Sequence, residues 1–479
     1  MAVMSGTGTI SPYRVEGTAS TRPMAGAMGI VFASLGLVMG LASKASETGS
    51  TGLAIGIISL IVVLFTLVDV EFGIYCLVAG MLLSPEIVIP FIDLPSRKVV
   101  IRIDDVMIIM VGIAWFAQTA VRGKLDLLVA TPLNKPILWF SFLTMLSTAR
   151  GAFTGSVGHP TTAFFYVLKF MEFFLLYFLI VNTVTTEAQV QRIMTAYFIT
   201  LLVVALWATW EAVIMKSVGR ATTPFETEEE PGTLGGYLLF SFALAFGLVN
   251  YATGVMRKVY YLGIMVIIVP PFLYTLSRGS YLAFFPMFIS VLLLSRRKMV
   301  PIMLMMLFGA ASPWLPDVTK ERVEYTFQNR IENVANPTFE DQNHVELDPS
   351  SAARLERYEG VINQWQYRPL LGQGVTGVGF VDSQFVRVLG EVGILGLLTL
   401  FWIFKNLFHT TLRLYRSLPI GYMKGLVLGF IAGAIGLICH GATSNTFTVV
   451  RIAGPFWALT GLAVVIYKIH QREVDEREA

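Results

Sequence analysis

The sequence predicts an all-α polytopic membrane protein, a bundle of about 14 spanning helices with one long external helical loop. Three observations carry this reading. Hydrophobic residues make up 55% of the 479-residue chain and charged residues only 14%, with a mean hydropathy of +0.67, too little polar surface to cover a soluble globule. The apolar residues lie in nearly charge-free runs of roughly 17–25 residues, the length a helix needs to cross about 30 Å of hydrocarbon. The runs are apolar all round, whereas barrel strands would alternate.

Residues 1–25 are rich in Gly, Ser, Thr and Pro, lack the apolar core of a signal peptide, and are expected to be a cytoplasmic tail. Spans 1–11 fill 26–314, with runs at 26–43, 51–68, 72–89, 104–121, 135–148, 161–182, 191–214, 232–252, 259–276, 280–294 and 299–314. A loop domain at 315–381 follows, then spans 12–14 within 382–468 (383–404, 420–440 and 448–467), and a second cytoplasmic tail at 469–479. Arg257-Lys258, Arg296-Arg297-Lys298, the group Lys405, Arg413, Arg416 and Lys424, and Lys468 with Arg472 then share one side, which the positive-inside rule makes cytoplasmic. Between Leu315 and Asp382 eleven acids face six bases, so this stretch is five charges negative and the rest of the chain is +8. It is expected on the opposite face. Arg97, Lys98 and Arg102 break the pattern, either as an external basic rim for an anionic lipid or because an early span is miscounted. Cys76 and Cys439 fall inside apolar runs and read as core residues.

The 67-residue insertion at 315–381 is too long for an idle connection. Val323, Phe327, Ile331 and Val334 recur at helical spacing, as do Leu355, Tyr358, Ile362 and Trp365, giving two amphipathic helices. Asp348 can cap the second, with Pro349 at its first position, Arg354 and Arg357 in its early turns, and Pro369 and Gly372 at its end. Gly372-Gln-Gly374-Val-Thr-Gly377 contains a G-x-G-x-x-G, but no strand precedes it and a membrane helix follows, so it is no dinucleotide fingerprint. Two readings stay open: the N–H groups of Gly372 and Gly374 cradle a phosphate or sugar, or the segment is a tight re-entry turn.

On this topology Arg278, Arg354, Asp382, Arg150 and Arg451 gather at the external face, with Glu211 near it. Arginine forks grip diphosphate oxygens and stay charged at any working pH, and a nearby carboxylate can take a proton from an attacking hydroxyl. Arg150 and Arg451 also suit snorkelling to headgroups. No metal-binding motif appears, and neither metal nor cofactor is expected. Asp104 and Asp105 are adjacent, so on a helix they diverge by about 100° and read as a cap. Lys169 and Glu172 can pair at i, i+3 within a span, as a structural ion pair or a proton relay.

Leu276-Ser-Arg278-Gly-Ser280, Arg354-Leu-Glu-Arg-Tyr358, Arg368-Pro-Leu-Leu-Gly372-x-Gly374 and Asp382-Ser-Gln-Phe-Val-Arg-Val-Leu-Gly-Glu391, in this order, resemble the O-antigen ligase and Wzy-type polymerase superfamily over about 232–408. The resemblance implies a GT-C-like helical glycosyltransferase of the bacterial inner membrane, its site facing the periplasm. Such enzymes pass a glycan from an undecaprenyl-diphosphate-linked donor to a glycan or lipid-linked acceptor, with inversion and without metal. Its partners would be these substrates, membrane lipids and other polysaccharide assembly proteins, and no nucleic acid. By position Arg278, Arg354 and Asp382 would be catalytic, with Arg150, Arg357, Arg451, Gly372 and Gly374 binding substrate. Ligases carry His where this chain has Asp382, followed by Asn where it has Ser383, so the carboxylate points to a polymerase over a ligase joining glycan to lipid A core. A flippase for the same lipid-linked oligosaccharide is the rival reading from another class.

Overall fold

This computed structural model describes residues 69–88, 100–121, 129–215, 219–225, 230–295 and 349–478, with 297, 298, 302 and 320 besides. The tail 1–25, the runs 26–43 and 51–68, all of 299–314 but 302, Arg97, Lys98, Asp348 and the first amphipathic helix of the insertion lie outside the described residues.

The other predicted runs are helical, except that the run 72–89 is helix only to Leu83 and then enters a β-hairpin strand at Glu86–Val88. The order is α1 (Val70–Leu83), a hairpin of β1 (Glu86–Val88) and β2 (Val100–Arg102), α2 (Ile103–Val121), α3 (Asn134–Phe153), α4 (Pro160–Thr183), α5 (Glu187–Thr209), a π-helical turn (Trp210–Met215), α6 (Pro231–Tyr251), α7 (Val255–Tyr274) and α8 (Arg278–Leu294). Within the insertion lies α9 (Pro349–Gln366), and after it come α10 (Gln384–Ser417), α11 (Tyr422–His440) and α12 (Val450–Glu478). Seven of these helices, α4 to α7 and α10 to α12, are long and apolar enough to cross a membrane. Two run beyond their predicted ends. α10 continues 13 residues past 404 to Ser417, and α12 takes in most of the 469–479 tail, whose Glu and Arg residues favour helix.

α6 is the central column, buried from Thr233 to Tyr251. It packs most extensively on α11, where small residues let two backbones touch: a Cβ on Gly429 would stand 2.6 Å from Leu244 Cα, and one on Gly425 would stand 2.9 Å from Gly247 O. In lipid no hydrophobic gain separates one apolar helix from another, so such close approach is what drives association. At one end, Thr186 and Gln189 form a capping box for α5, and Arg192 pairs with Glu71 of α1 at 2.7 Å. The opposite end gathers the starts of α2, α4, α6, α8, α10 and α12 and carries the candidate site.

Candidate active site

α10 begins on a fixed floor. Its first residue, Gln384, donates its backbone N–H to Gly441 O (2.9 Å), while its side-chain Oε1 accepts from Phe447 N and Thr448 Oγ1, each at 3.0 Å. Asn445 Nδ2 donates to Val381 O at 2.6 Å. Asp382 is thus held between two residues anchored on the 441–448 turn. Arg278 opens α8 on the same floor: Ser277 caps that helix, a Cβ on Gly279 would press on Thr443, and Ser280 Oγ lies 3.2 Å from His440 Nε2. The buried His440 uses its other ring nitrogen on Thr446 Oγ1 at 2.8 Å. It ties the α8 start to the turn that holds Asp382, a role the sequence did not signal.

α9 brings two arginines to this aspartate. Arg354 Nε and Arg357 Nη1 lie 3.5 and 3.4 Å from Asp382 Oδ2. The helix face that docks differs from the predicted one. Val361 is buried with Val378 and Val381, and Tyr358 packs against them, whereas Leu355 and Ile362 are exposed. The reason is tertiary: the partner surface is the 378–381 loop, and it selects the stripe that also points Arg354 and Arg357 at Asp382. Tyr358 joins the site, hydrogen-bonding Ser383, and burial pushes its phenol above its ordinary value.

The glycine-rich segment is a re-entry turn. Gly372 N donates to Arg368 O, Gln373 N to Gly390 O and Gly374 N to Glu391 O, at 2.9, 2.8 and 2.9 Å. Their N–H groups are spent on protein carbonyls, which corrects the substrate-cradling role expected of Gly372 and Gly374. The cause is a break in α10 at Gly393, whose φ of +78° opens the helix. The loop backbone fills the gap: Ile394 N donates to Pro369 O at 2.9 Å, and Ser147 Oγ of α3 donates to Glu391 O at 2.6 Å. Irregular backbone inside a membrane bundle needs this internal satisfaction. Gly372 is required here, since it sits at φ +64° and a Cβ would come within 2.5 Å of Gly390 O.

Arg451 also departs from its expected role. It is 1% exposed, and its Nη atoms donate to Pro224 O and, at 3.1 Å, to Phe225 O. It pins the loop before α6 and faces no open surface. Arg150 is half-buried in the last turn of α3, and its carbonyl accepts from Thr154 N at 2.9 Å and Thr154 Oγ1 at 3.0 Å. It lies on the turn where Arg368 Nη1 donates to Thr154 Oγ1 and Ser156 Oγ at 2.8 and 2.7 Å. Arg102, read as part of an external rim, is buried against Asp104.

A small pocket opens between α3, α4 and α10, lined by Phe140, Tyr166, Phe170, Val388 and Val392. Arg387 is the cation on its wall, with Nε 3.2 Å from Glu391 Oε1, which also accepts from Thr376 N at 3.0 Å. The sequence reading passed over this pair, although its i, i+4 spacing at a helix start was a usable signal. By donor chemistry a metal would be held by Asp104, Asp105 and Glu172, whose carboxylate oxygens lie within 4.8 Å of one another. No single stretch of sequence shows this cluster, because α4 supplies its third member.

Residues 263–401 match the family model described as O-antigen ligase. The match spans α7 to the middle of α10 and includes Arg278, Arg354, Arg357, Gly372, Gly374 and Asp382, while Arg150 and Arg451 lie outside it. The resemblance read from the motifs therefore stands. Among curated proteins none matches the chain.

Proposed function

We propose that this O-antigen ligase-like protein is a membrane glycosyltransferase that extends a polysaccharide. It would move glycan units from an undecaprenyl-diphosphate-linked donor onto a sugar hydroxyl at the periplasmic face. The observation that carries the reading is the convergence of Arg354 and Arg357 on one oxygen of Asp382, on the floor shared with the Arg278 helix start.

The chemistry follows from charge. A diphosphate carries more negative charge than a carboxylate and offers oxygens that two guanidinium forks can share. An arriving donor draws Arg354 and Arg357 off Asp382, and Arg278 adds a third cation. Asp382 Oδ2 is then free to accept the proton of the acceptor hydroxyl. That oxygen attacks the anomeric carbon; the bond from this carbon to the diphosphate oxygen breaks; the electron pair leaves with the diphosphate, whose growing charge the arginines stabilise. Attack opposite the leaving group inverts the anomeric configuration. Beside Arg387 lies a small, mostly apolar pocket with Gln384, two residues along from Asp382, at its near edge.

Arg278→Ala and Arg354→Ala are expected to abolish transfer while the protein still inserts and unfolds at its usual temperature. Wild-type transfer by both variants would remove the site assignment. The preference for polymerase over ligase rests on Asp382 standing where ligases carry His.

A further inference from the structure

A chain of hydroxyls runs from the turn that holds Asp382 to the residue before Arg278, with one imidazole in its middle. His440 closes α11 and is 1% exposed. It sits between two oxygens, Thr446 Oγ1 at 2.8 Å from Nδ1 and Ser280 Oγ at 3.2 Å from Nε2. Ser280 Oγ donates onward to Ser277 Oγ at 2.9 Å, and Ser280 N donates to the same oxygen at 3.4 Å. The chain has room because α6 passes it with glycines: a Cβ on Gly235 would run into Ser280 Oγ, and one on Gly236 would stand 3.1 Å from His440 Cε1.

Counting protons fixes the direction of this chain. A hydroxyl has one proton to give, and Ser280 gives its own to Ser277. Toward His440, Ser280 is therefore the acceptor. Nε2 carries the proton, and in a neutral ring Nδ1 then accepts from Thr446. At the far end Ser277 Oγ takes two hydrogen bonds from Ser280, one from its amide and one from its hydroxyl, which occupy both lone pairs. Its own proton is left to point elsewhere, and Ser277 is half-buried at the site end of α8, beside Arg278. Gly232 keeps that direction open. A Cβ there would stand 3.8 Å from Ser277 Oγ and 3.9 Å from Ser444 Oγ, so one methyl-sized space touches both hydroxyls. Ser444 in turn lends its carbonyl to Gln384 N at 3.2 Å, two residues from Asp382.

We propose that Ser277 is a further contact to the diphosphate of the donor, and that His440 is the positioning residue that aims its proton there. The inference rests on the transferase reading and adds a neutral donor to the three arginines. A hydroxyl whose lone pairs are both occupied can only donate, so it selects an acceptor such as a phosphate oxygen. A hydrogen bond to a charged acceptor corresponds to roughly 10- to 100-fold in affinity. His440 is too deeply buried to meet the substrate and acts through Ser280 and Ser277. In the other tautomer Nε2 would be an acceptor and Ser280 would turn its proton to the ring. Ser277 would then lose a partner and could point its own proton back at Ser280.

Calorimetric titration of the purified full chain in detergent with farnesyl diphosphate, a lipid diphosphate that carries no sugar, tests this. Ser277→Ala should weaken binding at least tenfold, and Ser277→Thr, which keeps the hydroxyl, should restore it. His440→Asn, whose amide is too short to reach Ser280, should weaken binding as Ser277→Ala does. His440→Gln sets an amide N–H where Nε2 stood and should recover most of the affinity at an equal thermal midpoint. In wild-type protein labelled with ¹⁵N-histidine, the resonance that disappears in His440→Gln should be that of an Nε2–H tautomer. If the His440 variants do not accumulate, the two Ser277 variants carry the test. Wild-type affinity in Ser277→Ala, with binding lost in Arg278→Ala, overturns the proposal and leaves the transferase reading standing, and an Nδ1–H tautomer at His440 does the same. Wild-type protein that binds no farnesyl diphosphate would instead remove the transferase reading, and this inference with it.

Discussion

Replacing Asp382 with Asn separates catalysis from stability, because the structure assigns the two very different costs. Arg354 and Arg357 touch Asp382 at 3.5 and 3.4 Å, but their side chains are 37% and 50% exposed. Exposed ion pairs of this kind contribute about 0.5 kcal/mol each. Losing both costs about 1 kcal/mol, a shift of a few degrees at most in thermal midpoint. The same pairs compete with the donor. Without the carboxylate the arginines are free for diphosphate, and that 1 kcal/mol reappears as roughly fivefold tighter donor binding. Turnover moves the other way, since removal of a general base costs about 10²–10⁴-fold. Asp382→Asn should therefore fold normally, show a lower KM for the lipid-linked donor, and lose at least 100-fold in kcat. The assay is transfer from a purified lipid-diphosphate donor in detergent, with product separated by chain length and unfolding followed by intrinsic fluorescence. Wild-type kcat, or a fall in kcat matched by loss of fold, would refute the reasoning.

Gly372→Ala should lower stability by about 2–4 kcal/mol, because it combines a positive φ with a Cβ against the Gly390 carbonyl; a thermal midpoint within a degree of wild type would contradict this. Arg451→Ala should reduce folded protein as well as activity, since it strips buried carbonyls at 224 and 225 of their donor. A well-folded Arg451→Ala protein that has lost only donor affinity would restore the substrate-binding role.

The helices that the structure describes were legible because run length and all-round apolarity are local properties. The site was legible in part. Arg354, Arg357 and Asp382 stand in motifs whose order survives in the fold, and Pro349 starts α9 as its position predicts. What escaped depends on contacts between distant segments. The fate of the Gly372 and Gly374 N–H groups is decided by the opening of α10 at Gly393. Arg451 reads as an outer-end arginine until the 224–225 loop folds over it. Asp104 and Asp105 diverge along their own helix, and only α4, 64 positions further on, gathers them with Lys169 and Glu172. Arg387 and Glu391 are the exception, a near-neighbour pair visible in the sequence yet passed over because it lies inside an apolar run.

The central claim is tested most directly by incubating the purified protein with an undecaprenyl-diphosphate-linked repeat unit and resolving glycan length and the lipid product by mass spectrometry. The account predicts repeats joined into longer chains with release of undecaprenyl diphosphate, and no product from Arg354→Ala. Donor recovered unchanged, with the same protein in vesicles carrying it from one leaflet to the other, would contradict it and make the protein a flippase.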